Sequence, residues 1–209
     1  MVMAHGDDKG IIWPPKVAPL QIVIVPIIFK DSSEAVMEKS KEIMKKLKAK
    51  NHSVELDDRD YTPGWKFNEW ELKGVPLRIE IGPKDIEKDQ LILVRRDTNE
   101  KITIKTKDLD KKIEETLQKI QENLFNTAKE YLLKHIVLVH NMHGLTEAIT
   151  NKKMAQAPFC GNSECENIIK DKAEGATCRC IPFEQKPVAG NCVACSNMAK
   201  SWALFAKNY

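Results

Sequence analysis

Apolar and polar positions in the first part of the chain alternate between the period of a strand and the period of a helix. Residues 20–29 are a nearly continuous apolar run rich in β-branched side chains, which predicts a strand buried on both faces. Residues 34–50 predict a helix, with Ser32 or Ser33 as its N-cap. Its inward stripe is Val36, Ser40, Ile43 and Leu47.

The segment from Gly64 to Asp85 predicts a helix, a turn and a strand. The helix places Trp65, Glu69 and Leu72 on one face and ends at Gly74, because glycine tolerates the left-handed conformation that closes helices. Pro76 prevents further helix. The five residues that follow alternate between an apolar and an ionic face, which is typical of a strand. They are Leu77, Arg78, Ile79, Glu80 and Ile81.

The remaining periodic segments complete an α/β pattern. Residues 54–56 predict a short strand, and residues 90–94 and 101–104 predict a hairpin. Residues 109–135 predict a long amphipathic helix, with an apolar stripe from Leu109 to Tyr131. Alternation of strands and helices, closed by a hairpin, predicts a three-layer α/β sandwich with a mixed sheet.

Composition excludes several classes of protein. The 209 residues are 42% hydrophobic and 30% charged, enough for one large or two small globular domains. No run approaches the roughly 18 apolar residues of a membrane span, and the start has no signal-peptide pattern. We therefore expect a cytoplasmic protein with no membrane partner. A net charge of +3 is too small for nucleic-acid affinity based on phosphate neutralisation alone. Individual side chains at specific positions must therefore select the partner.

The polar residues of the central segment match the hydrogen-bonding edges of guanine. Glu71 lies near the predicted helix end, Arg78 on the strand and Lys84 in the turn after it. An unstacked guanine offers donors on its Watson–Crick edge and acceptors at O6 and N7, so a carboxylate and two cations complement it. The alternative is that Arg78 and Glu80 are surface charges paired across strands.

Two further arginines stand at the neck of the predicted hairpin. Arg95 and Arg96 are additional candidates for contact with phosphate or base. The alternative is an edge strand that its charges keep soluble. Near the start of the chain, His5 and Asp7 have the residue types of a catalytic pair, but a histidine two residues from an acid in a turn is interpreted as structural.

Six cysteines cluster late in the chain, which indicates a metal before disulfides in a protein without export signals. Cys160 and Cys165 form a C-x4-C pair, and Cys192 and Cys195 form a C-x2-C pair. Two such pairs predict a structural tetrahedral zinc site. Cys178 and Cys180 have a spacing too tight for one metal, and Cys180 is interpreted as a small buried residue before a strand at residues 181–183.

Histidines are not expected to join this metal site. His135, His140 and His143 flank an apolar run that predicts a strand, so they would not share one face. The sequence also excludes a zinc enzyme with Cys and His ligands. It indicates neither an open coordination position nor a general base near the cysteines.

The Gly-Val-Pro corner, the alternating strand and the following Gly-x-x-Asp resemble the anticodon-binding module of several class II aminoacyl-tRNA synthetases. The stretch from Gly64 to Gly74 resembles prolyl-tRNA synthetases of the archaeal and eukaryotic type, and the similarity extends from His5-Gly6-Asp7 to the terminal Tyr209. It implies Glu71, Arg78 and Lys84 as anticodon-binding residues and a zinc site at the outer four cysteines.

The resemblance also implies a domain organisation and partners. Residues 1–19 would be the tail of an absent catalytic domain, 20–125 the anticodon-binding domain and 126–209 a small zinc-binding α/β domain. The function implied is recognition of tRNA(Pro), with ATP and Mg²⁺ used only by a full-length, homodimeric ligase. The chain would contact its own catalytic domain, and alone it would be inactive. The alternative is a stand-alone tRNA-binding or regulatory protein built from the same modules.

Overall fold

The computed structural model describes residues 1–28, 33–195 and 197–208. They form two compact units, residues 1–128 and residues 129–209. Phe29 at the end of the first apolar run, the predicted N-cap at Ser32 or Ser33 and the terminal Tyr209 lie outside the residues or side chains described. Within the described part, no helix is both long enough and apolar enough to cross a membrane.

The first unit is a mixed five-stranded sheet with helices on both faces. Its elements are α1 (Val2–His5), β1 (Gly6–Asp7), β2 (Gly10–Ile11), β3 (Ile22–Pro26), α2 (Ser33–Ala49), β4 (Val54–Leu56), α3 (Pro63–Leu72), β5 (Leu77–Ile81), α4 (Pro83–Glu87), β6 (Gln90–Arg95), β7 (Lys101–Lys105) and α5 (Leu109–Lys134). The strand order is β4-β3-β5-β6-β7. Strand β3 is parallel to β4 and β5, whereas β5, β6 and β7 are antiparallel. The predicted mixed sheet is confirmed.

The period-two alternation of β5 separates two layers of core. Leu77, Ile79 and Ile81 pack with apolar residues of α2 and α5 on one face of the sheet. On the other face, Val23 and Val25 of β3 pack against α3 and the residues after it. The helix–sheet–helix layering confirms the predicted sandwich, and α5 ends at Lys134, close to the predicted limit.

Helix α3 ends at the predicted glycine, and its buried face is not the one that contains Trp65, Glu69 and Leu72. The Thr62 side chain accepts a hydrogen bond from the Trp65 backbone N–H, and Gly74 follows the helix with φ of 73°. The buried residues are Lys66 and Trp70, whereas Trp65 is 45% exposed. The face containing Trp65 and Leu72 therefore points outward.

Asp57 accepts hydrogen bonds from the buried Lys66–Trp70 face of α3. Its carboxylate accepts a hydrogen bond from Trp70 Nε1 at 2.7 Å and from Arg59 Nη2 at 2.8 Å. Lys66 Nζ donates to the Asp57 carbonyl at 3.0 Å. Burial raises the pKa of Asp57, but the hydrogen bonds from Arg59 and Trp70 overcome it and lower that pKa to about 2. A partnered buried carboxylate thus fixes the rotation of α3.

The second unit is a four-stranded sheet with two short helices of its own. Its elements after α5 are β8 (Ile136–Leu138), α6 (Met142–Thr150), β9 (Met154–Phe159), α7 (Ser163–Lys172), β10 (Thr177–Cys180) and β11 (Ser201–Ala206). The strand order is β10-β11-β9-β8, with only the β8–β9 pair parallel among these strands.

Two local predictions for the second unit are wrong. Cys180 is exposed rather than buried, and the strand comprises Thr177–Cys180 rather than residues 181–183. Phe183 is fully exposed. The strand begins earlier because Thr177 and Cys178 pair with Ala206 and Phe205 of β11.

The Asp57 contacts predict unequal effects for two tryptophan substitutions. Trp70→Phe keeps an aromatic ring but removes the indole N–H from a buried carboxylate, so it should lower the free energy of unfolding by about 1–3 kcal/mol. Trp65→Phe replaces an exposed ring and should change the free energy of unfolding by less than about 0.5 kcal/mol. Urea unfolding followed by circular dichroism measures both. Equal destabilisation by the two variants would contradict the assigned role of Asp57.

Candidate functional site

The polar face of the sheet contains a buried ionic network centred on Arg78. Its guanidinium donates from Nε and Nη2 to the same Glu80 oxygen, at 3.1 and 3.0 Å. Its Nη1 lies 3.4 Å from Glu71 Oε1, and the Phe67 ring lies 4.1 Å below the guanidinium carbon. Lys101 Nζ reaches the other Glu80 oxygen at 3.3 Å. Arg78 is therefore held in one orientation, with only a long contact on Nη1.

Glu71 lies between two cations in the last turn of α3. Oε1 faces Arg78 at 3.4 Å, and Oε2 faces Lys9 Nζ at 3.3 Å. The Glu71 side chain is 15% exposed, so the carboxylate remains accessible from one side. Lys9 is a partner that the sequence does not indicate, because 62 residues separate it from Glu71 and no local periodicity links them.

Arg95 and Arg96 are occupied by internal carboxylates. Arg95 donates to both Asp97 oxygens, at 3.0 and 2.7 Å, and this contact raises the pKa of Arg95. Arg96 forms a two-pronged contact with Asp7, with both distances 2.7 Å. Both arginine side chains are less than 10% exposed. Both arginines are therefore ion-paired and largely buried.

Lys84 is separate from the other four candidates. It lies in α4 beyond the C-terminal end of β5, whereas Arg78 is near the start of that strand. From Arg78 to Ile81 the strand rises by about 10 Å, at roughly 3.3 Å per residue. Lys84 is exposed and makes no hydrogen bond or ion pair with the residues that the structure describes. Glu71, Arg78, Arg95 and Arg96 all line one narrow crevice.

The polar face is open beside this crevice. Helix α3 packs over β3, but over β6 and β7 the side chains on this face include half-buried Ile92 and exposed Lys101 and Thr103. The register places Ile92 opposite Glu80, so the open area begins directly next to the ionic network. The exposed part of this face therefore adjoins the ionic network.

The second unit brings four cysteine sulfurs together. All Sγ atoms of Cys160, Cys165, Cys192 and Cys195 lie within 4.8 Å of one another. The separations are 3.6 Å between Cys160 and Cys165 and 4.0 Å between Cys160 and Cys195. Zinc–sulfur bonds of about 2.3 Å at tetrahedral angles put sulfurs about 3.8 Å apart. The spacing therefore fits one tetrahedral metal ion.

Strand pairing creates this cluster. Cys160 follows β9, and Cys165 lies in the first turn of α7. The loop with Cys192 and Cys195 reaches them because β11 pairs with β9, and because Val193 N–H donates to the Pro158 carbonyl at 2.9 Å. Gly161 and Gly190, which stand beside the two cysteine pairs, both have positive φ.

The four thiols do not have equal environments. Burial raises the pKa of Cys165, and contacts with Cys195 and Cys160 add to this effect. Burial opposes ionisation of Cys192 as well, but backbone N–H groups of Ala194, Cys160 and Cys195 outweigh it and lower that pKa. Backbone N–H groups directed at sulfur favour the thiolate, which is the form that binds metal.

The other cysteines and the histidines stay outside the cluster. Among the described residues, the one group of three or more metal-ligand side chains is the outer four cysteines. Cys178 and Cys180 lie on β10, and His140 contacts the Trp202 ring edge-on. The cluster contains no carboxylate or histidine, so its donor set is that of a closed structural site.

Comparisons with known proteins divide the chain in the same way. Residues 21–116 match the family model described as "Anticodon binding domain", and residues 142–209 match "Prolyl-tRNA synthetase, C-terminal". The whole chain is 46% identical to part of a proline–tRNA ligase of Natranaerobius thermophilus and 43% to one of Lachnoclostridium phytofermentans. It is also 42% identical to part of a bifunctional glutamate/proline–tRNA ligase of Cricetulus griseus.

Fold, site and comparisons together define the class of protein, an anticodon-binding α/β module followed by a small domain with a cluster of four cysteines. The chain belongs to the prolyl-tRNA synthetase family, and it corresponds to the C-terminal part of those enzymes. It spans 44% and 43% of the length of the two proline–tRNA ligases named first and 15% of the bifunctional protein.

The cluster predicts different metal contents for two cysteine variants. Cys165→Ser removes one of the four close sulfurs and should lower bound metal from about one ion per chain to a small fraction of that, because a closed site needs four ligands. Cys178→Ser, the matched control on β10, should keep the ion. Elemental analysis after dialysis measures both. Full occupancy in Cys165→Ser would contradict the assignment of Cys165.

Proposed function

We propose that this chain recognises the anticodon of tRNA(Pro) as the C-terminal portion of a proline–tRNA ligase. The observation that supports the proposal most directly is the Glu71–Arg78 pair beside the open sheet face. Proline anticodons contain two guanines, and a fixed carboxylate next to a fixed guanidinium offers acceptors for N1–H and N2–H and donors for O6 and N7.

Preorganisation supports this role for Arg78. Glu80 holds Nε and Nη2, and Phe67 supports the plane of the guanidinium. Little side-chain entropy is then lost when a base binds, which favours both affinity and selectivity. The aromatic ring and the planar cation also form a surface on which an unstacked base can stack.

Lys84 is assigned to the second guanine. It is exposed, and about 10 Å of strand separates it from Arg78, so it does not reach the same base edge. Arg95 and Arg96 were candidates for direct contact. Their internal ion pairs favour instead a supporting role, in which they hold the loop after β6 and the end of α3. The exposed Lys101 adds positive charge for the backbone.

We further propose that the metal is Zn²⁺ with a structural role. Four thiolates select a borderline-soft, redox-inert ion, and no open position is left for a substrate. Joining proline to tRNA with ATP and Mg²⁺, contact with a catalytic domain, dimerisation and a cytoplasmic location are proposed for a longer ligase that contains this chain. The relatives named above are longer ligases, which favours this function over a stand-alone tRNA-binding protein.

Glu71→Gln tests the proposal. The change removes the ionic acceptor for guanine N1–H and N2–H, and it should weaken binding of a proline anticodon stem-loop by about 1–3 kcal/mol. Filter binding measures the dissociation constant at fixed salt. Glu114→Gln, an exposed position on α5, is the control for loss of one negative charge. Equal binding by wild type and Glu71→Gln would contradict the proposed role, as would equal binding of a stem-loop without the two guanines.

A further inference from the structure

The segment before β3 is attached to the part of α3 that contains Glu71. Trp13 Nε1 donates to the Lys73 carbonyl at 3.1 Å, and the Trp13 backbone N–H donates to the Gly74 carbonyl at 3.1 Å. A Cβ atom at Gly74 would collide with the Ile11 carbonyl, so the two segments are in close contact. The N-terminal segment and the end of α3 therefore form one packed element.

Arg96 links this segment to the backbone of Glu71. Its Nε donates to the Glu71 carbonyl at 2.9 Å, and the same guanidinium contacts both oxygens of Asp7. The Glu71 carbonyl also accepts a hydrogen bond from the Gly74 backbone N–H at 3.0 Å, so Arg96 is its second donor. Arg96 is the donor that joins the last turn of α3 to the N-terminal segment.

Asp7 is what fixes Arg96. The guanidinium side chain is 2% exposed, and within the described residues Asp7 is its one carboxylate partner. The arginine holds the pKa of Asp7 at about 2, so the carboxylate is charged throughout the neutral range. Removing that charge leaves a buried cation without compensation, which forces the guanidinium to move or to admit water.

Asp7 also orients the second cation beside Glu71. Its Oδ1 accepts a hydrogen bond from the Lys9 backbone N–H at 2.9 Å, and Lys9 Nζ lies 3.3 Å from Glu71 Oε2. The Asp7 carboxylate therefore acts on Glu71 in two ways. It holds Arg96 next to the Glu71 backbone carbonyl, and it orients Lys9 beside the Glu71 side-chain carboxylate.

We infer that Asp7 is a positioning residue for guanine recognition, which it supports through Arg96 and Lys9 by setting the position of the Glu71 carboxylate. The inference rests on the proposed function of Glu71. Asp7 itself does not contact the base. Its loss should reduce discrimination at the guanine that Glu71 contacts more than it reduces overall affinity for RNA.

The test compares guanosine with inosine in a proline anticodon stem-loop. Inosine lacks only the exocyclic N2 amine, so the ratio of the two dissociation constants measures the hydrogen bond between that amine and the carboxylate. In the wild-type full chain the ratio should be on the order of 10 at one of the two guanine positions, as expected for a bond to a charged acceptor. Glu71→Ala, which removes both acceptor oxygens, should bring it close to 1.

Asp7→Asn should lower the ratio to less than half of the wild-type value. Asp8→Asn, which removes a neighbouring exposed charge, should leave it unchanged. Asp7→Glu, which keeps the charge, should give a ratio between that of Asp7→Asn and that of the wild type. The dependence of binding on salt should stay the same in all variants, because the phosphate contacts are not altered. A ratio for Asp7→Asn equal to that of wild type overturns the inference, even if both affinities fall.

A second variant covers loss of folding. If circular dichroism shows that Asp7→Asn does not fold, Arg96→Lys decides, because it keeps a cation opposite Asp7 but removes the Nε donor to the Glu71 carbonyl. A lowered ratio in Arg96→Lys supports the inference, and a wild-type ratio overturns it. A ratio near 1 in the wild-type protein at both positions would instead show that the proposed function of Glu71 is wrong, so the two failures are distinguishable.

Discussion

Burial of charge under α3 is the constraint on which the first unit depends. The alternation of β5 makes one face of the sheet apolar and directs Arg78 and Glu80 to the other, where α3 and the N-terminal segment limit access to water. Charges removed from water are tolerated only when they are paired and hydrogen-bonded. The ion pairs of Arg78 and Arg96 are therefore requirements of the fold before they are features of a binding site.

The same requirement produces selectivity. A side chain that must be paired to be buried is also held in one orientation, and fixed donors and acceptors discriminate between bases better than mobile ones. Arg78 has one long contact, and Glu71 retains an accessible side. The network is thus complete enough to be stable and open enough to accept another planar, hydrogen-bonding partner.

Local pattern predicted the elements, because period and turn chemistry act over a few residues. The strand at Leu77–Ile81, the glycine that ends α3 and the four clustered cysteines all follow from spacings within the sequence. Long-range partners could not be predicted in this way. Asp7 and Arg96 are 89 residues apart, and nothing near either residue specifies the other. Glu71 could be chosen from the motif, but the two groups that hold it could not.

The errors also have a physical reason. Two tryptophans, Trp65 and Trp70, lie in one short helix, and the buried one, Trp70, both packs on β3 and donates to Asp57, two long-range partners that the local pattern does not show. Cys180 looks like a core residue until the pairing of β10 with β11 is known.

Compensation of charge is also required in the second unit, at the cluster of four cysteines. Four sulfurs this close cannot all ionise unless a cation neutralises them, since like charges at such distances strongly oppose one another. Arg96 obtains its counter-charge from within the chain, in Asp7. The cysteines have no such partner among their ligand set, so as thiolates they would need a bound metal ion. Binding of that ion would be coupled to completion of the fold around β9 and β11.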